Sequence, residues 1–418
     1  MLRRVTWDKV LFSIFVMLLI MTSIYAANHI RVSPEEALKN KMKILASGDK
    51  STVLAIENDF YQPIGMSQSK EGITITLDGM VVDKVSVQVF YTITADENVL
   101  PEGDDMHVYR INPMLHMIVD GQKHEPPGFM GSWSRPDNQH GNVYEDVLEY
   151  TFLNEIMMDG IQVDLQPQIE LETAQSEGEP FFQEQFLFDI PIDPSTYDYE
   201  ILTYEINEEL TIEQQKIVFH DMIVHPTRST LYIAVDEDNS KEIFDMGDME
   251  LVVSDDNKGI TSQQKSVQFG RDQITFESMY FMDVEHVAIE GSWFGALDKD
   301  KRELVINMEQ GKIVKKPDDR LTLGSIEQQK DGELEIQFIM DGGEGDRFFF
   351  HLDTAFTDAD GDEYENFVKY HRSTSNKDGG ILNVMHTTIP DEDYVSPLTF
   401  NISHYPTHIE EPYSIDVK

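Results

Sequence analysis

The spacing of apolar positions along the 418-residue chain changes twice. An uncharged run, VLFSIFVMLLIMTSIYAA, spans Val10 to Ala27 and follows Arg3, Arg4 and Lys9. About eighteen such residues lie near the lower limit for crossing a bilayer. With the positive cluster before the run and none directly after it, the expected product is a single-pass cell-membrane protein. Its N-terminus is cytoplasmic and its bulk extracytoplasmic. The alternative is a cleaved signal peptide and a secreted chain. Cuts after Ala27 or Ala26 place Tyr25 or Ile24 where a small residue is usual, which favours an uncleaved anchor. Next comes SPEEALKNKMKILASG, with Ser33 as helix cap, Pro34 in the first turn, and Glu35 and Glu36 at the positive end of the dipole. Leu38, Met42 and Leu45 form one apolar stripe, and a second short helix is predicted over Thr52–Asn58. Both read as juxtamembrane helices packed on the first sheet.

From Gly72 the period falls to two. Ile73, Ile75 and Leu77 alternate with threonines, and Val85, Val87, Val89, Tyr91 and Ile93 alternate with Ser86, Gln88, Thr92 and Thr94, with a turn at Asp78-Gly79. Further strands are predicted at 108–119, 143–153, 161–171 and 181–192. A second set follows at 200–206, 215–224, 230–235, 249–254, 274–282, 286–293 and 303–308. A third begins at Leu321, alternates strictly at Leu334, Ile336, Phe338 and Met340, and closes near Tyr413–Val417. Pro191–Pro194 and Lys315–Asp319 read as junctions. The predicted fold is mainly β, with tandem immunoglobulin-like β-sandwich domains after an N-terminal transmembrane helix and short juxtamembrane helices. The expected division is 1–9 cytoplasmic tail, 10–27 anchor, 28–60 helical segment, 61–194 first sandwich, 195–316 second and 317–418 third.

Charge narrows the partners. The chain carries 32 Lys+Arg against 77 Asp+Glu, a net charge of −45, which repels nucleic acid and anionic headgroups alike. With 10% aromatic and 40% apolar residues it is not a disordered acidic chain. Solubility in a salty or alkaline medium accounts for the acidity, and a cationic partner is the other reading. No cysteine is present, which removes disulfides, thiolate metal sites, thiol nucleophiles and a lipid-accepting cysteine. A secreted chain of this length without disulfides suits a Gram-positive envelope.

Two stretches resemble a known group of proteins. ENDFYQPIGMSQSKEGITITLDGMVVDKVSVQVFYTIT, Glu57 to Thr94, is similar to the uncharacterised immunoglobulin-like ectodomain of Gram-positive membrane proteins with anti-sigma-factor-like architecture. LTIEQQKIVFHDMIVHPTRSTLYIAVDEDNSKEIFDMGDMEL, Leu210 to Leu251, resembles the second β-domain that often follows, on patterns such as Ile223-Val224-His225-Pro226-Thr227-Arg228. The resemblance implies a membrane-tethered sensor or regulator with no established activity. About nine residues precede the apolar run, too few to fold. Direct sequestration of a sigma factor is therefore not expected.

Candidate chemistry is sparse. TDADGDEYEN places Asp358, Asp360 and Asp362 in one turn, where alternate carboxylates supply hard oxygens to calcium. As an EF-hand it fails, because Phe356 and Phe367 fall at the first and last ligand positions. A hairpin carrying solvated acids is the plain alternative. Met340–Arg347 reads as a glycine turn between strands. His220 and His225 face opposite sides of a regular strand, whereas His404 and His408 stand close enough in sequence to bring two imidazoles together. No catalytic motif and no cofactor motif is present. Paired carboxylates of a glycosidase cannot be read among 77 acids. The aperiodic segment Gly121–Asn142 carries Phe129, Trp133, Arg135 and His140 and is the expected binding loop, or else a plug over the sheet edge. The expected protein is thus a non-enzymatic binding or sensing protein with an unknown envelope ligand or protein partner. The alternatives are a cell-wall glycosidase or hydrolase and a structural spacer.

Overall fold

The computed structural model describes residues 33–100, 106–132, 139–171, 182–255, 259–265, 267–269, 272–330, 332–342, 350–375 and 381–418. They form a mainly β chain that divides into two compact units, one ending at Tyr199 and the other starting at Glu200. Among the described residues no helix is long and apolar enough to cross a membrane, and Val10–Ala27 lies outside them.

The first unit opens with α1 (Pro34–Leu45) and α2 (Lys50–Glu57). The Ser33 hydroxyl accepts the Glu36 amide at 3.0 Å, as the cap signature predicts, and Asp49 caps the second helix two residues earlier than expected. Strands follow as β1 (Gln62–Lys70), β2 (Ile73–Val82), β3 (Ser86–Ala95), β4 (Met106–Val119), β5 (Gln122–His124), β6 (Gly128–Ser132), β7 (Gln139–His140), β8 (Val143–Phe152), β9 (Gly160–Leu171) and β10 (Phe186–Pro191). They build one antiparallel sheet in the order β1-β2-β3-β8-β6, with β7 also on β8, and a second in the order β10-β9-β4-β5. Ile73, Ile75, Leu77, Val87, Val89, Tyr91 and Ile93 share one core with Ile161, Val163, Leu165, Phe186 and Phe188 of the second sheet. The period-two pattern thus marks a face that is buried.

The opposite face of the first sheet is covered by the helices through a polar layer. Lys41 reaches Asp78 at 2.8 Å and Glu145 at 3.0 Å, while Thr52 and Asp49 hydrogen-bond Gln88. Met42 and Ile56 pack beside them, fully buried.

The second unit contains two layer pairs. The first uses β11 (Leu202–Ile212), β12 (Gln215–Val224), β13 (Arg228–Val235), β14 (Lys241–Asp245), β15 (Glu250–Asp255), β16 (Gly259–Lys265), β17 (Val267–Phe269), β18 (Gln273–Glu277) and β19 (His286–Asp298). The next uses β20 (Glu303–Asn307), β21 (Lys312–Lys315), β22 (Leu321–Gln328), β23 (Glu333–Asp341), β24 (His351–Thr357), β25 (Glu363–Glu365), β26 (Phe367–Ser375), β27 (Ile381–Pro390) and β28 (Leu398–His404). The last strand, β29 (His408–Asp416), does not stay with β28. It returns to pair with β19, and Ile409, Tyr413, Ile415 and Val417 complete the core of the earlier layer pair.

The stretch expected as a linker at 315–319 lies beside β21, which pairs with β20. Arg320 and the Tyr405 hydroxyl fix Asp318 there, at 2.9 and 2.8 Å. Pro191–Pro194 is followed by a short 3-10 turn whose Tyr197 hydroxyl accepts the Met158 amide at 3.3 Å, within the first unit.

Candidate functional site

The expected binding loop is partly sheet. Gly128–Ser132 pairs along β8 as an outer strand, in register from Gly128 opposite Phe152 to Ser132 opposite Leu148. A segment that reads as an aperiodic loop in the sequence thus supplies a paired strand. The physical reason is local. β5 belongs to the second sheet and β6 to the first, and Pro126-Pro127 is the crossing between them. The Tyr150 hydroxyl donates to the Pro126 carbonyl at 2.7 Å, and the Leu153 amide donates to that of Pro127 at 3.0 Å. A Cβ on Gly128 would stand 2.1 Å from the Thr151 carbonyl oxygen, so only glycine permits this approach. On β6, Phe129 and Met130 remain 51% and 42% exposed. Trp133 and Arg135 lie outside the described residues, and His140 is placed only as part of β7.

The acidic turn is held from within. Asp358 is buried, and its Oδ1 accepts the amides of Asp360 and Asp362 at 3.0 and 3.1 Å while Oδ2 accepts that of Val395 at 3.2 Å. Burial works against its charge, but these amide bonds prevail and hold the carboxyl below the usual carboxylate range. Asp360 and Asp362 face solvent. The three acids thus split into one that organises a turn and two that are solvated, rather than converging on an ion. Among the described residues no group of three or more histidines and acids is placed to hold a metal.

In the pattern on which the second resemblance rests, His225 and Thr227 lie in a buried turn between β12 and β13, and Arg228, also buried, opens β13. The His225 amide donates to the Arg228 carbonyl at 2.9 Å, and the Ser278 hydroxyl donates to the His225 carbonyl. Their role in the described structure is to close a hairpin. His404 does meet another imidazole, that of His351, its partner on the neighbouring strand of the same sheet, and His351 in turn meets His371 of the facing sheet. The His404 ring lies 5.7 Å from that of His351, which lies 5.0 Å from that of His371. His408 instead sits edge-on to Trp293 at 4.7 Å.

Sequence reasoning missed two cavities in the second unit. One, of about 450 Å³, is lined by Asp236, Glu237, Lys241, Glu242, Asp272 and Lys299 among others, with Lys241 bonded to Asp298 at 2.9 Å. The other, of about 520 Å³, is lined by Asp248, Glu250, Glu290, Gly291, Pro412, Tyr413 and Ser414. Glu250 and Glu290 come from separate strands and Asp248 from the turn before β15, so no local motif announces all three.

Comparison with known proteins matches two parts of the chain. Residues 3–95 match a domain of unknown function (DUF4179), and residues 201–329 match a family of unknown function (DUF5643). These spans contain the two stretches on which the sequence resemblance rests, so the chain is similar to uncharacterised families in both places. A solved structure described as the conserved domain protein from Bacillus anthracis is similar over 61% of this chain and 84% of that one, at 14% identity and a TM-score of 0.37. No curated protein matches the chain.

Proposed function

We propose that the chain is a non-enzymatic, membrane-anchored extracytoplasmic protein that binds an envelope component through the outer edge of its first sheet. The layer pairs are read as immunoglobulin-like sandwiches, and Val10–Ala27 as the anchor. The observation that carries the reading is β6, an outer strand presenting half-exposed Phe129 beside Met130. Exposed aromatic groups on a strand stiffened by two prolines lose little entropy on binding, and aromatic anchors dominate recognition surfaces. The high negative charge keeps the folded part away from anionic lipid.

The test uses the full chain in intact protoplasts. External protease should remove the folded part, and isolated cell envelope should retain the wild type. Phe129→Ala should keep the wild-type melting temperature and lose most envelope retention. Retention equal to wild type would sink the sheet-edge reading, and protection from external protease would sink the topology.

A further inference from the structure

We propose that His351, His371 and His404, in the last layer pair of the second unit, form a binding site for a divalent transition-metal ion of the zinc or copper kind. The site is independent of the sheet-edge reading and uses different residues.

The site follows from register and topology. His351 opens β24 and stands opposite His404, the last residue of β28, in the same sheet. His371 lies on β26 of the facing sheet, opposite Met385, which is buried in the core. Directly opposed residues on antiparallel strands share a face, so His371 points with Met385 toward the first of these sheets. The ring centres of His351 and His404 are 5.7 Å apart, and those of His351 and His371 are 5.0 Å apart. With zinc–nitrogen bonds of about 2.0–2.1 Å and tetrahedral angles, two imidazoles on one ion hold their centres roughly 5 Å apart. Both pairs stand near that spacing.

The state of the rings is the second, separate observation. Among the described residues, the rings of His351 and His404 meet one another, His371 and Phe244, and neither makes a side-chain hydrogen bond. His386 of the same layer pair is the contrast, with Nδ1 at 2.8 Å from Glu335 and Nε2 at 3.2 Å from Gln337. A histidine with a purely structural task is thus satisfied by its neighbours here, whereas His351 and His404 keep their nitrogens available. Burial lowers the pKa of all three, and nearby imidazoles add to this for His371 and His404, against the pull of Asp245 on His404. The rings are therefore neutral near pH 7, the form that ligates a metal. His351 is exposed and the other two are half-buried, so an ion can enter from solvent.

The donor set selects the ion. Calcium and magnesium take oxygen ligands, whereas imidazole suits zinc, copper and nickel. The three rings do not yet converge on one point. Convergence needs rotation about the Cβ–Cγ bonds, a torsion with a broad profile, and His351, which meets both of the others, is the exposed one. The net charge of −45 raises the local concentration of any cation. A bound ion would tie β24 and β28 of one sheet to β26, the outer strand of the other.

The probe is zinc chloride, titrated calorimetrically into the full chain in millimolar calcium, which fills diffuse carboxylate sites but competes poorly for imidazole. Zinc should bind saturably and raise the melting temperature. His351→Gln, His371→Gln and His404→Gln should each weaken zinc binding about tenfold or more. Cobalt(II) in place of zinc should give visible bands of nitrogen ligation that His351→Gln abolishes. Should the half-buried His404→Gln fail to fold, His351→Gln, on an exposed residue, still decides. His124→Gln, an exposed histidine of the first unit, should leave binding unchanged. Equal weakening by His124→Gln would mean diffuse attraction to an acidic protein and would overturn the site. So would zinc binding that calcium abolishes, or His351→Gln binding zinc like wild type.

Discussion

The imidazoles of His351, His371 and His404 meet across the two sheets of the last layer pair. Burial lowers the pKa of all three below the usual 6.5. Mutual repulsion adds to this for His371 and His404. Around His404, His408 acts in the same direction, while Asp245 acts against it and Phe244 packs on the ring at 5.8 Å. The unfolded chain therefore takes up protons near pH 6.5 that the folded chain refuses. Stability associated with these groups is complete above that value and is lost as the pH falls through the lowered folded values. The urea midpoint should drop between pH 7.5 and 5, and the drop should shrink in His371→Gln. A drop of the same size in that variant would assign the acid sensitivity elsewhere. The carboxylates held low, such as Asp298 and Asp318, act only in a more acidic range, below 3.8.

The turn joining β24 to β25 behaves as an element because one side chain gathers its backbone. Asp358→Ala strands three amides and should lower the melting temperature clearly. Asp360→Ala and Asp362→Ala, on exposed residues, should stay within about 0.5 kcal/mol of wild type. Adding millimolar calcium should not shift the wild-type melting curve, since the buried carboxylate already serves the backbone. A calcium-induced rise that vanishes in Asp360→Ala would restore the ion-site reading. The same turn shows how far the sequence could be read. Asp360-Gly361 announces a hairpin, and the strict alternation over 334–340 announces β23, because both signals are local. Strands such as β26, written FVKYHRSTS, escape because their strand-forming residues do not alternate cleanly with polar ones, and pairing with β27, through a bulge at Val368/Tyr370, places them. β6 escaped because Pro126-Pro127 and its glycines resemble a loop until the partner strand is known. The cavity acids Asp248, Glu250 and Glu290 were illegible for a stronger reason. Glu290 joins the other two only through the register of β15 on β19, and Ser414 lines the same cavity only because β29 folds back.

At the scale of the molecule, that return of β29 encloses all the strands of the last layer pair between two strands of the one before it. Removing residues 408–418 would delete Ile409, Tyr413, Ile415 and Val417 and uncover the core that they share with Phe219 and Phe294. Each such side chain contributes roughly 1.5–3 kcal/mol, and ordinary domains have only about 5–15 kcal/mol in total. Amide hydrogen exchange should then show lost protection in β15 and β19, with β2, β3 and β8 of the first unit unchanged. Protection retained in β19 would mean that the core closes without its last strand. The arrangement also sets a clock. During synthesis, β19 must wait for residues 299–407 to be made before its outer neighbour exists. At ordinary elongation rates of about 5–20 residues per second, that is a delay of roughly 5–20 s. Through that interval the half-built sheet presents an open edge, and a chaperone able to cover a strand edge would have its greatest effect then.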